Sequence, residues 1–129
     1  MADLSGRTLG SFVVERELGR GGMGVVLLAR QSSLDRPAVL KKLRRELADS
    51  PELIERFERE ARAVAGVHHE NVVAVYDCFR NRQDQYIAQE YVPGLDLHAA
   101  IQRAGPFPPR VVALIGLGMV RGLEEIHSH

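Results

Sequence analysis

Apolar and polar residues alternate along the first two thirds of the chain and then change to helical spacing, with the change falling near Pro93 and Gly94. Branched residues in "SFVVERELG" (11–19) and "GVVLLAR" (24–30), separated by glycines, predict two strands joined as a hairpin. "RPAVLKKL" (36–43) predicts a third strand, entered through the turn "SSLDRP". "NVVAVYDCF" (71–79) and "QYIAQEYV" (85–92) alternate around the polar turn "RNRQD" and predict a second hairpin. Between the third strand and that hairpin, "DSPELIERFEREARAVAG" carries helix signals: Ser50 as N-cap, Pro51 in the first turn, early acids, and Gly66 as the stop. Beyond Pro93 and Gly94 a short helix is expected near 95–103. "GPFPP" (105–109) breaks the chain before a last helix that runs to about His127. The expected organisation is an N-terminal tail over 1–10, a compact α+β unit of five strands and one helix over 11–92, and an exit segment with two helices over 93–129.

On the first helix, at about 100° per residue, Leu53, Ile54, Phe57, Ala61 and Val64 gather in one arc. Glu52, Glu55, Glu58, Arg59 and Arg62 fall outside it. Glu60 is the exception, projecting close to Leu53 on the apolar side, where a carboxylate is costly unless it meets a cation or reaches water at the edge of the face. The helix taken alone leaves both options open.

The glycines between the first two strands form G-x-G-x-x-G through Gly19, Gly21 and Gly24, with Val26 two residues on. Glycine tolerates positive φ and lets backbone N–H groups approach a bulky anion. Alone the pattern is weak. A dinucleotide-binding fold uses the same spacing but opens a helix directly after the glycines. "VVLLAR" is a poor helix start, so the loop reads as a flap between two strands, or as a plain glycine-rich hairpin. Downstream, "AVLK" ends in Lys41, 17 residues after Gly24, and Glu60 follows 19 residues later.

Composition narrows the classes. Seventeen lysines and arginines balance 17 aspartates and glutamates, so no overall field draws the chain to nucleic acid or an anionic membrane. The basic run "KKLRREL" (41–47) lacks interleaved aromatics and reads as a solvated connection, with Lys42 on the opposite face of the strand from Lys41. The single cysteine, Cys78, fits a reducing cytoplasm and reads as a buried apolar filler. The start "MADLSGRTLG" resembles neither a signal peptide nor an anchor, and the longest apolar run, "VVALIGLGMV" (111–120), is about half of a membrane span. Five histidines, His68 and His69 among them, show no metal-ligand spacing; His69 is expected to anchor the turn after the first helix.

Glycine loop, lysine on the third strand and inward glutamate on the next helix stand in the order of the protein-kinase signature. The chain resembles the N-terminal lobe of a bacterial serine/threonine protein kinase over roughly residues 12–127, with "GRGGMGVV", "RFEREAR" and "HENVVAVYD" carrying the likeness. The resemblance implies a five-stranded antiparallel sheet with one helix, followed by the first helices of a second lobe. It implies Gly19, Gly21 and Gly24 over the phosphates of ATP, Lys41 on the α and β phosphates, and Glu60 holding Lys41 as an ion pair. Leu18 and Val26 would roof the adenine, with Val39 where the family usually has alanine. Gln89 would be the gatekeeper, a polar departure from the commoner apolar residue, with Glu90 to Val92 as the hinge. Asp96 aligns with a ribose-binding residue and serves equally as a helix N-cap.

The catalytic-loop H-R-D with its asparagine and the magnesium-holding D-F-G are not among these 129 residues. The expectation is an ATP-binding part that is inactive alone, with Mg2+ bound only where those residues are supplied. A short nucleotide-binding regulatory module of the pseudokinase kind, or an interaction protein with relic glycines, are the alternatives. The last helix, apolar around most of its circumference and interrupted by Gly116, Gly118 and Gly122, is expected to need burial.

Overall fold

The computed structural model describes residues 3–22 and 24–129, and of Leu47 and Ala48 the backbone alone. In chain order the elements are β1 (Thr8–Leu9), β2 (Phe12–Arg20), β3 (Gly24–Gln31), β4 (Arg36–Leu43), α1 (Arg45–Ala48), α2 (Pro51–Ala65), β5 (Val75–Asn81), β6 (Asp84–Glu90), α3 (Leu97–Ala104) and α4 (Pro109–His127). The strands form one antiparallel sheet in the order β1-β2-β3-β4-β6-β5. β2, β3 and β4 fall within one residue of their expected bounds because branched residues and flanking turns mark both ends.

Two elements were not expected. The stretch read as a tail over 1–10 contributes β1, whose Leu9 is 6% exposed in the core. The Gly6 N–H donates to the Val14 carbonyl at 2.7 Å, and the Val14 N–H to the Arg7 carbonyl at 2.9 Å. Two residues are too few to show alternation, so only pairing with β2 makes them a strand. α1, four residues long, is likewise below the length at which periodicity is visible.

α2 follows its signals: the Ser50 hydroxyl accepts the Leu53 N–H, Pro51 opens the helix and Gly66 caps it. β5 begins at Val75 rather than near 71, since the preceding residues are claimed by a turn. There His69 Nδ1 accepts the Asn71 N–H at 3.0 Å and its carbonyl accepts the Val72 N–H. The second hairpin closes through Arg82 and Gln83, with Arg82 at φ 58°.

The core lies on one face of the sheet. The two-residue pleat sends Phe12 and Val14, Leu27 and Ala29, Ala38 and Leu40, and Tyr86 and Ala88 to that face from four adjacent strands. Phe79 of β5 stacks between Phe12 and Tyr86, with ring centroids 5.7 Å and 5.3 Å away. α2 lies against β5, burying Phe57 and Ala61. One glycine of α4, Gly122, has a packing reason that sequence reading missed. A Cβ at Gly122 would stand 3.0 Å from the Asn71 carbonyl, so the helix approaches this loop on its glycine side. Its large apolar residues remain open, Leu114 at 64% exposure and Val120 at 60%.

Tyr86 is 2% exposed, and burial, with Asp84 nearby, pushes its phenol up to about 12 against the partial opposition of Arg45 and Arg7. The unfolded chain releases that proton near pH 10, as free tyrosine does. The folded state therefore binds more protons between about pH 10 and 12, and stability that is full below this window falls across it. Urea midpoints followed by circular dichroism from pH 9 to 12 should decline less steeply in Tyr86→Phe than in the unaltered protein. Equal slopes would contradict the assignment.

Candidate functional site

The face opposite the core brings the expected residues together by register. Gly19, Val26, Lys41 and Ile87 are successive Cα partners across β2, β3, β4 and β6. Two residues along, Leu28, Val39 and Gln89 make a second row. Val39 is 7% exposed and Val26 half-buried, while the Lys41 side chain is exposed at the end of this apolar floor. Leu18, more than a third exposed, stands next to Gly19 at the end of β2.

The three motif glycines do different work. Gly21 and Gly24 exchange two backbone hydrogen bonds, at 2.9 and 3.3 Å, which close the hairpin; Met23 lies outside the described residues. Gly24 has φ +153°, and a Cβ there would fall 1.8 Å from the Lys42 carbonyl oxygen. Only glycine lets β3 leave the turn so near β4. At Gly19 and Gly21 a Cβ would meet no atom of the described residues within 4 Å beyond the adjoining chain. No packing contact among the described residues requires glycine there, and the backbone at both is open.

The expected ion pair of Lys41 with Glu60 is not formed. Glu60 has 59% side-chain exposure and its Oε1 lies 3.1 Å from Arg56 Nε, one turn earlier on α2. Among the described residues Lys41 has no ion pair. The physical reason is the position of the buried stripe. α2 presses Phe57 and Ala61, with Ile54 and Val64 half-buried beside them, toward the sheet. That leaves Leu53 and Glu60 on the rim, where an (i, i+4) arginine is the nearest cation. The option that Glu60 reaches the edge of its face is the one realised here.

The segment after β6 is partly engaged and partly free. The Glu90 carboxylate accepts the Ala74 N–H at 3.1 Å, and the Glu90 N–H donates to the Ala74 carbonyl at 2.8 Å. Val92, 62% exposed, has neither backbone group hydrogen-bonded among the described residues. Asp96 caps α3, its Oδ1 accepting the Ala99 N–H at 2.7 Å.

Sequence reasoning missed Asp84, read only as part of a turn. It is 8% exposed and holds two cations, Lys42 Nζ at 3.5 Å and Arg45 Nε at 3.2 Å, tying β6 to β4 and α1. Lys42 thus points away from Lys41, as the pleat requires. Burial, with the Glu58 charge adding to it, pushes the Cys78 thiol up, which keeps it protonated. Among the described residues no cluster of histidine, cysteine and acidic groups could hold a metal ion, and no helix is long and apolar enough to cross a membrane.

Residues 12–129 match the protein kinase domain. The chain is 39% identical over 126 residues to the serine/threonine-protein kinase pkn3 of Myxococcus xanthus, covering 95% of this chain and 23% of that protein. It is 35% identical over 123 residues to the serine/threonine-protein kinase PrkC of Bacillus subtilis, covering 95% of this chain and 19% of that one. In three dimensions it is similar to the crystallised Mycobacterium tuberculosis PknI kinase domain, with a TM-score of 0.85 and 30% identity, covering 99% of this chain and 53% of that one. The chain spans about half of that kinase domain and about a fifth of the two longer relatives.

The different duties of the glycines are separable. Gly24→Ala should cost more than about 2 kcal/mol in urea unfolding, from backbone overlap and a disfavoured φ. Gly21→Ala, which meets open space, should change stability by less than about 1 kcal/mol.

Proposed function

This chain belongs to the protein kinase family, and from that premise we propose that it forms the ATP-binding side of a serine/threonine kinase, an enzyme that passes the γ-phosphoryl group of ATP to protein serine and threonine hydroxyls. The row Gly19–Val26–Lys41, with Gly24 locking the hairpin to the lysine's own strand, is the observation that supports it most strongly. Gly19, Gly21 and Gly24 lie over the phosphates, and Lys41 reaches the α and β phosphates. Phosphoryl transfer depends mainly on positioning and on neutralising charge, which a flap of N–H groups and one ammonium supply.

Leu18, Val26 and Val39 sandwich the adenine. Gln89 stands at its back, and the Glu90 carbonyl with the free Val92 backbone bonds its edge. The Asp96 Oδ2 remains for a ribose hydroxyl while Oδ1 caps α3. Glu60 joins Lys41 only after giving up Arg56, an exposed pair of a kind worth about 0.3–0.5 kcal/mol, so the exchange is inexpensive.

Neither the catalytic aspartate nor the magnesium-holding D-F-G is among these 129 residues, so the chain by itself holds nucleotide without transferring phosphate; Mg2+ requires those further carboxylates. ATP in the cytoplasm and a protein substrate or regulator are its partners. The Glu60–Arg56 pairing favours, as a second reading, a module that binds nucleotide to regulate another protein.

A non-hydrolysable ATP analogue at a hundred times its Kd should stabilise the chain by about 2.7 kcal/mol, read as a rise in Tm. Lys41→Met should remove most of that rise. No rise in the unaltered protein would sink the nucleotide reading, and phosphate transfer by the pure chain would overturn its inactivity.

A further inference from the structure

The core face of the sheet, opposite Lys41, carries a cavity of about 600 Å³ at the glycine-hairpin end. We propose that this cavity binds a small amphipathic organic anion, with an apolar body against the sheet and its charge on Arg7 and Arg82. Its size lies within the range of small-molecule sites, about 300–1,000 Å³. The buried side chains of Val14, Leu27 and Tyr86 give an apolar wall.

The charges around it do not balance. Among the described residues six cationic and four acidic side chains line the cavity, and each acid is already engaged. Glu17 pairs with Arg20, Glu46 with Arg44, and Asp84 with both Lys42 and Arg45, while Asp3 accepts from Ser5. The guanidinium groups of Arg7 and Arg82 have no ion pair or hydrogen bond among the described residues. An anion satisfies both, and an apolar body satisfies the wall; inorganic phosphate meets only the first demand and an uncharged arene only the second.

The cavity shares its walls with the nucleotide face. Both arms of the glycine hairpin contribute, through Glu17 and Arg20 on β2 and Gly24 and Val25 on β3, and Lys42 is the residue after Lys41. A ligand here shifts nucleotide affinity by linkage, an effect that rests on the nucleotide reading above, whereas binding itself does not.

The probe is 2-naphthyl phosphate, titrated without nucleotide and followed by 1H–15N NMR. Binding should shift the amides of Leu9, Leu27 and Tyr86, with a Kd on the order of 1 mM or tighter. 2-Naphthol and inorganic phosphate should each bind about tenfold more weakly, as should 2-naphthyl phosphate to Arg7→Glu/Arg82→Glu. Shifts confined to Val111–Leu123 or to the Gly19–Lys41 face would overturn the proposal. So would equal affinity for naphthol or for phosphate, a comparison that needs no variant, or unchanged affinity in a double variant whose spectrum remains native.

Discussion

Both edges of β4 are hydrogen-bonded, to β3 and to β6, and the pleat of that one strand separates the core face from the Lys41 face. Ala38 and Leu40 enter the core, and Lys42 follows them to the same side, where Asp84 holds it. Val39 and Lys41 take the other side and meet Val26, Leu28 and Gln89 across the strands. A slip of one residue would exchange the two sets, burying Lys41 in the apolar layer. The core therefore fixes the site: Phe12, Phe79 and Tyr86 stack on one face, and that packing permits only one register for the lysine on the other.

Gly24 extends this constraint to the hairpin. Its Cα passes so near the Lys42 carbonyl that β3 leaves the turn in contact with the lysine strand, while Gly19 and Gly21 keep open backbone above it. Gly24 is fixed by the fold, whereas no packing contact among the described residues demands glycine at 19 or 21. The Lys41 face and the cavity thus lie on opposite sides of the same strands.

α2 meets the sheet through a narrow apolar strip. Its inward side rests on Phe57 and Ala61, and its charged residues are tied mostly to one another, as in Arg56–Glu60, Arg59–Glu55 and Arg62–Glu58. Such pairs are weak in water and do not anchor the helix to the sheet. The carboxylate that the family pairs with the strand lysine therefore rests on its own helix at little cost. α4 is similar in kind: docked by Gly122 on the Asn71 loop, it leaves most of its apolar circumference exposed.

What was legible in the sequence was whatever local chemistry marks: the alternation that made β2, β3 and β4, the Ser50, Pro51 and Gly66 signals of α2, and the spaced motifs that pointed to the family. β1 and α1 were not, because two and four residues carry no period and exist only through contacts with the rest. Nor was the role of Asp84, since a turn aspartate and a buried carboxylate holding two cations look identical until β4 and α1 are brought beside it. The wheel placed Glu60 near the apolar face of its helix but could not say which part of that face the sheet would cover. Sequence determined which groups are available, through periodicity and spacing along one chain; tertiary packing decided which of them meet, because the partner of a charge is set by the nearest element in space.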